Sequence, residues 1–326
     1  SSRAISSAAG TADIIEVFAD VNMDAHKLRT VAEKVGGTLA WGGSMSLSPA
    51  DDTIIKVEYP LGIDPHAQLL ASVMSKKKAA GANCLVIDIP TGAGTKVPTI
   101  EEAQAFARDF MDLGEKLGIE VRCAITYGEQ PVGRAIGPAL EAKEAITILE
   151  GSKHPSSVYE KSIGMAAMVL EMGGIKNGEA KAKEILESGQ ALTKFREIVA
   201  AQGGNPNISS SDITVGMYKH DIISAMSGYV NSIKNKQLVQ IARAAGSPKD
   251  KGAGVVLNKK RGNRVLEGET LYTIYADHEA KLEQAIELAR KLDPMVVENM
   301  IISKLPNSSK YTVIEETSSN IRSERN

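Results

Sequence analysis

Aromatic residues are scarce in this chain: Phe, Trp and Tyr make up 4% of 326 residues, with a single Trp. A core must therefore rest on Ala, Val, Ile, Leu and Met. Cysteine is scarcer still. Cys84 and Cys123 both lie in apolar, strand-like runs and read as buried reduced thiols, which points to a cytoplasmic protein without disulfides. Long hydrophobic runs are missing: none approaches the ~20 residues that cross a bilayer, and the first residues carry no apolar signal segment, so no membrane is expected. Neither sign of charge dominates, since 38 Lys and Arg face 40 Asp and Glu for a net charge of −2. Without a basic excess to track a phosphate backbone, nucleic acid is not an expected partner. The five histidines (His26, His66, His154, His220 and His278) show no metal-ligand spacing and no nearby cysteine pair, so no metal is expected.

What is present is a glycine-punctuated alternation of helices and strands. Residues 14–35 read as two helices ended by Gly36 and Gly37, followed by a short strand, "TLAWGG" (38–43). "TIIKVEY" (53–59) reads as extended, and "HAQLLASVMSKKKAA" (66–80) as a helix that Gly81 ends. "CLVIDIP" (84–90) is a continuous apolar run of the kind buried on both faces of a parallel sheet. A glycine loop, a helix from Thr99 with Glu102 as its capping-box partner, and a strand at 120–128 complete a βαβ unit. Residues 156–203 read as helical, with stops at Gly164, Gly173, Gly174, Gly178 and Gly189; 236–246 is a further helix. From Lys251 short strands alternate with glycine turns before a last helix, and the polar tail reads as disordered. The expected fold class is α/β (α+β), with a mixed or parallel sheet flanked by helices. Residues 1–48 and 80–250 would form the main domain, 49–79 a segment of a helical domain, 251–315 a small β/α domain, and 316–326 a tail.

The first thirteen residues, "SSRAISSAAGTAD", put Ser1, Ser2, Arg3, Ser6, Ser7 and Thr11 in a glycine-bearing loop that enters a helix. Hydroxyls, backbone amides and a guanidinium fork suit an anion; the same residues suit a plain capping loop with Thr11 as N-cap. "DIPTGAGTK" sets Lys96 beyond the C-terminal end of a parallel strand, where α/β folds bind ligands. It lacks Walker spacing, and Val97 follows the lysine. Asp64-Pro65 is a helix-start signature. Ser72, Ser75 and Lys76 fall on one helical face, available to a ligand or to solvent. "GYVNSIKNK" and "KKRGNRV" read as solvated surface.

Seven segments in order are more specific than any one of them. They are "SSRAISSAAGTAD" (1–13), "WGGSMSLSPADD" (41–52), "VEYPLGIDP…ASVMSKKK" (57–78), "DIPTGAGTKVPT" (88–99), "GEQPVGRAIGPALEAKEA" (128–145), "AQGGNP" (201–206) and "ARAAGSPKDKGAG" (242–254). With them the chain resembles the thymidine and pyrimidine nucleoside phosphorylase family, and most closely its archaeal branch acting on nucleoside 5′-monophosphates. The resemblance implies a pentosyltransferase that needs no cofactor, with AMP (or CMP or UMP) and inorganic phosphate as substrates. It implies Asp64 as proton donor and Ser2, Arg3, Ala4, Ile5, Ser6, Ser7, Thr11, Ser72 and Lys96 as substrate-binding residues. Ser1 and Lys76 match phosphate- and base-contacting positions of the nucleoside-specific branch. It further implies a homodimer or larger homo-oligomer, an upstream region carrying a second phosphate loop, and little activity for these residues alone. In one departure, Val57 stands where the pyrimidine branch has arginine, a donor-only group that suits the acceptor oxygens of thymine better than an amino group. A pyrimidine nucleoside phosphorylase, a nucleotide hydrolase built on "GAGTK" and a non-catalytic interaction module are the competing expectations.

Overall fold

The computed structural model describes residues 1–5, 7–45, 48–51, 53, 54, 57 and 66–301. The opening turn runs into α1 (Thr11–Ile15), and α2 (Ala25–Val35) follows, its N-cap Asp24 accepting from the Lys27 amide at 2.7 Å and Gly36 ending it. Gly10, not Thr11, is the N-cap of α1. Residues 38–41 join no sheet, and Gly42–Met45 form a 3₁₀ turn rather than the end of a strand. The expectation of extended chain at 53–59 is corrected at its described positions: Thr53, Ile54 and Val57 are helical, and the Thr53 hydroxyl donates to the Pro49 carbonyl four residues back at 2.9 Å; residues 55, 56, 58 and 59 lie outside the described residues. Four β-branched residues, Thr53, Ile54, Ile55 and Val57, give that stretch its strand-like look, a local preference that context overrides at the described positions.

α3 (His66–Ala79) packs on the βαβ unit of β1 (Cys84–Thr91), α4 (Ile100–Leu117) and β2 (Glu120–Tyr127). The strands pair parallel from Cys84↔Glu120 to Thr91↔Tyr127. Met74, Ile89, Phe106, Phe110 and Val121 form their common core. Thr99 caps α4 as expected, accepting from the Glu102 amide at 3.2 Å. Among the described residues this sheet has two strands, and each is open to solvent at some positions: Cys84, Asp88 and Pro90 on β1, Glu120, Ile125 and Tyr127 on β2. β1 is thus not buried throughout, and its thiol expectation fails: Cys84 is exposed and Cys123 half-buried. The run is apolar, but the described chain covers it only in part.

β3 (Ala135–Ile136) leads into α5 (Pro138–Leu149), followed by α6 (Ser156–Met172), α7 (Gly178–Glu187) and α8 (Gln190–Ala201). Gly164 lies inside α6 and Gly178 begins α7, so neither acts as a stop. Phe18 meets Phe195 edge-on at 5.0 Å over a core of Ala139, Ala142, Ile146 and Val199. The remaining elements are β4 (Tyr218–Ile223), β5 (Gly228–Ile233), α9 (Asn235–Ala244), β6 (Gly254–Leu257), β7 (Arg264–Val265), β8 (Thr270–Ala276), α10 (Glu279–Leu292) and β9 (Met295–Glu298). They make antiparallel sheets in the orders β3-β6-β8-β4 and β7-β5-β9, under α9 and α10. β3, β4 and β5 precede residue 251, yet they pair with the strands that follow it. Ala8 of the opening turn is buried in this same core. The fold is therefore α/β with mixed parallel and antiparallel pairing. No described helix is long and apolar enough to cross a membrane.

Candidate functional site

The opening turn is organised by Asp13, which is 3% exposed. Its Oδ2 accepts from the Ala4 amide at 2.8 Å and the Gly10 amide at 3.0 Å, and its Oδ1 from Arg3 at 3.0 Å. Burial pushes this carboxyl up, but the two amides, Arg3 and Lys251 outweigh it and hold it below the usual range. Gly10 is required here because a Cβ would meet Ala4 N, Arg3 C and Ser2 O at 2.5 Å. Further bonds set the path of the turn: the Ala12 amide donates to Ser2 O at 3.1 Å, and Arg243 to Ile5 O at 3.1 Å. Ser1 donates through its hydroxyl to Ala40 O at 2.7 Å, and Ser7 to Ala9 O at 2.9 Å. Thr11 is exposed at the start of α1. Ser6 lies outside the described residues.

Arg3 differs from expectation. Its guanidinium closes on Glu16 through both terminal nitrogens, at 2.8 and 2.6 Å, reaches Asp13, and lies 4.8 Å from the Trp41 ring centre. Lys251 joins the same cage at 2.7 Å from Glu16. Arg3, together with Lys251 and against some burial, draws the Glu16 carboxyl down to about 2. In this structure the Arg3 fork faces carboxylates of its own chain rather than standing open to an anion.

On α3, Ser72 and Lys76 turn to Asp51, a carboxylate only 5% exposed. Ser72 Oγ donates to its Oδ2 at 2.9 Å, Lys76 Nζ stands 2.7 Å from the same oxygen, and Gln68 donates to Oδ1 at 3.2 Å. Ser75 pairs with Ser48 at 3.1 Å. The sequence places these residues on one helical face but gives no role to Asp51, whose only sign is its place in the "SPADD" motif. Asp64 lies outside the described residues.

Beyond β1, the Thr95 hydroxyl donates to Gly92 O and Val97 O, both at 2.8 Å, folding residues 92–97 into a closed turn that carries Lys96. Gly92 has φ 132°, and a side chain there would strike Glu129. Lys96 and Lys77 line one groove of about 430 Å³, floored by Val73, Pro90 and Phe106. The basic end of α3 and the Lys96 loop thus share one groove.

Lys260 was expected in solvent, as part of "KKRGNRV". It is half-buried, and its ammonium donates to the carbonyls of Pro131, Val132 (3.3 Å) and Gly133 (2.8 Å). Burial and the nearby Arg134 bring it down to about 8. Facing the same loop, Glu144 accepts from the Arg134 amide at 2.9 Å and the Ala135 amide at 3.2 Å. Glu141 accepts from the Gly137 amide at 2.9 Å; burial, aided by Glu144, pushes it up to about 7. On β1, Asp88 holds Lys161 of α6 at 2.6 Å and accepts from Thr126 at 2.6 Å. Among the described residues no group of three or more His, Cys, Asp or Glu could hold a metal.

Residues 1–192 match the "Glycosyl transferase family, a/b domain", and residues 229–293 the "Pyrimidine nucleoside phosphorylase C-terminal domain". The chain is 50% identical to an AMP phosphorylase of Methanosarcina mazei over 311 residues, covering 94% of this chain and 61% of that protein. It is 53% identical to an AMP phosphorylase of Thermococcus kodakarensis, covering 94% and 62% respectively. It is also 53% identical to AMP phosphorylase 1 of Archaeoglobus fulgidus, covering 92% and 60%. The chain thus spans about three fifths of the length of these relatives. By a match that covers more than half its length, the chain belongs to the glycosyl transferase family defined by that a/b domain.

Proposed function

We propose that the protein carries out phosphorolysis of nucleoside 5′-monophosphates: AMP and phosphate give adenine and ribose 1,5-bisphosphate, with CMP and UMP as further candidate substrates. Supporting this are the relatives named AMP phosphorylase. The observation that carries it is the groove that the basic end of α3 shares with the Lys96 loop. Inorganic phosphate is the co-substrate, and no further cofactor is needed.

The reaction requires an anionic nucleophile held beneath a ribosyl carbon that becomes oxocarbenium-like, and a proton for the departing base. Hydroxyls and amides of Ser1, Ser2, Ile5, Ser6, Ser7 and Thr11 bind the sugar phosphate, along a turn that the Ala4 amide fixes to Asp13. Lys96 supplies positive charge, while Arg3 keeps the turn in shape from within its carboxylate cage. Ser72 and Lys76 meet the base. Asp64 protonates it once the cleft closes and water leaves. Residues 49–79 move as part of the helical half, hinged near Gly43 and Gly81. The enzyme works in the cytoplasm as a homodimer or larger homo-oligomer.

A pyrimidine nucleoside phosphorylase is the second reading, and Val57 speaks against it. Comparing phosphate-dependent base release from AMP and from thymidine in the full-length protein tests both. The proposal expects AMP to be the better substrate and Asp64→Asn to abolish most turnover. Preference for thymidine, or near wild-type turnover by Asp64→Asn, would overturn it.

A further inference from the structure

Residues 128 and 129 wall the turn that carries Lys96. The Gly128 amide donates to the Thr91 carbonyl at 2.8 Å. A Cβ on Gly128 would meet Thr95 Cγ2 at 2.6 Å, and one on Gly92 would strike the Glu129 side chain. Thr95 is the residue whose hydroxyl closes the turn. Packing this close passes a shift of the wall on to residues 91–95. Residues 128–134 belong to no helix or strand, so no ladder fixes their path. The C-terminal unit fixes it instead, almost residue by residue. Asn235, which begins α9, donates to Gly128 O at 3.0 Å. Arg261 donates through its guanidinium to Glu129 and through its amide to Gln130 Oε1 at 3.0 Å. Lys260 donates to the carbonyls of three consecutive residues, Pro131, Val132 and Gly133. Arg134 then reaches back to Leu257 O at 3.0 Å and Asn258 O at 2.7 Å.

We propose that Lys260, assisted by Arg261, is a positioning residue for the Lys96 turn: from the C-terminal unit it holds residues 129–133, and through them the wall against which residues 91–95 fold. Neither side chain meets substrate; each acts through the placement of Lys96. The proposal rests on the substrate-binding reading of Lys96 and deepens it, since it assigns the shape of that turn to a different part of the chain. Lys260 is the main tether. It is half-buried, and removing it strands three carbonyls at once, whereas the Arg261–Glu129 pair is largely exposed and contributes less. A small displacement of a binding group is enough to cost rate, even when its origin lies far from the chemistry.

The test combines amide hydrogen exchange with a double-mutant cycle in the full-length protein. In Lys260→Met the Gly92, Thr95 and Gly128 amides are expected to exchange about tenfold faster, while those of α2 keep their rates. The kcat/KM for AMP at fixed phosphate is expected to fall on the order of tenfold. In a Lys96→Gln background the same substitution should cost less than about twofold more, because the group it positions is already gone. A Lys260 that merely supports the fold would cost the same factor in both backgrounds. Unchanged exchange at the three amides, an unchanged kcat/KM, or an equal loss in both backgrounds overturns the proposal. Should Lys260→Met not fold, Arg261→Gln decides on the same cycle, with an expected loss of about threefold in the wild-type background. Lys96→Gln with wild-type turnover would instead overturn the role of Lys96, and the exchange of the turn would still decide that of Lys260.

Discussion

Asp13 gathers two amides and a guanidinium into one buried carboxylate, and Lys251 approaches it at 3.7 Å. The serines of the opening turn are obvious in the sequence, and Asp13 is not, because its partners are amides that every residue carries. The one signal was spacing: a carboxylate three residues after Gly10 can cap the helix it begins. Arg3 was visible too, but its balancing carboxylates, Glu16 and Asp13, were indistinguishable from surface acids. Arg3→Met should cost about 1–3 kcal/mol in chemical denaturation, less than a fully buried pair because Arg3 is partly exposed. Gly10→Ala should cost roughly 1–3 kcal/mol, since the added methyl forces the turn apart, and should weaken AMP binding in calorimetric titration. Lys96→Gln is expected to reduce kcat/KM on the order of 10²-fold, as loss of a charge-stabilising group does.

The elements divide by the kind of signal that marks them. α2, α3 and α4 were legible from caps, glycine stops and apolar spacing, and the βαβ unit from its apolar runs and crossover length. Thr99→Ala should accordingly lower stability by about 1 kcal/mol, measured as a shift in denaturant midpoint with an unchanged slope. Where local preference conflicted with context, the sequence misled: the β-branched Thr53, Ile54 and Val57 became helical, and Gly164 stayed inside α6. Lys260 shows why a charged tripeptide cannot be assigned to solvent by composition. Its partners are backbone carbonyls more than 120 positions away, which no local pattern reveals. β4 and β5 pair with strands beyond residue 251 for the same reason: sheet partnership is a long-range property.

At the scale of the molecule, two sets of carboxyls respond oppositely to acid. Glu16 and Asp13 are depressed, so their contribution is present at neutral pH and is lost as pH falls, for Glu16 between its ordinary 4.5 and about 2. Glu141 is raised to about 7, so its burial costs stability as pH rises from 4.5 to 7. Glu141→Gln, which can still accept from the Gly137 amide, should raise the melting temperature at pH 8 and leave it unchanged near pH 4; an equal shift at both would refute the assignment. The central claim is that the opening turn, α3 and the Lys96 loop together bind the sugar-phosphate anions. Phosphorus NMR of the full-length protein with AMP and inorganic phosphate tests it most directly. The account predicts that both signals decline together as ribose 1,5-bisphosphate appears in step with free adenine. Unchanged AMP, or adenine released with ribose 5-phosphate and no consumption of phosphate, would contradict it.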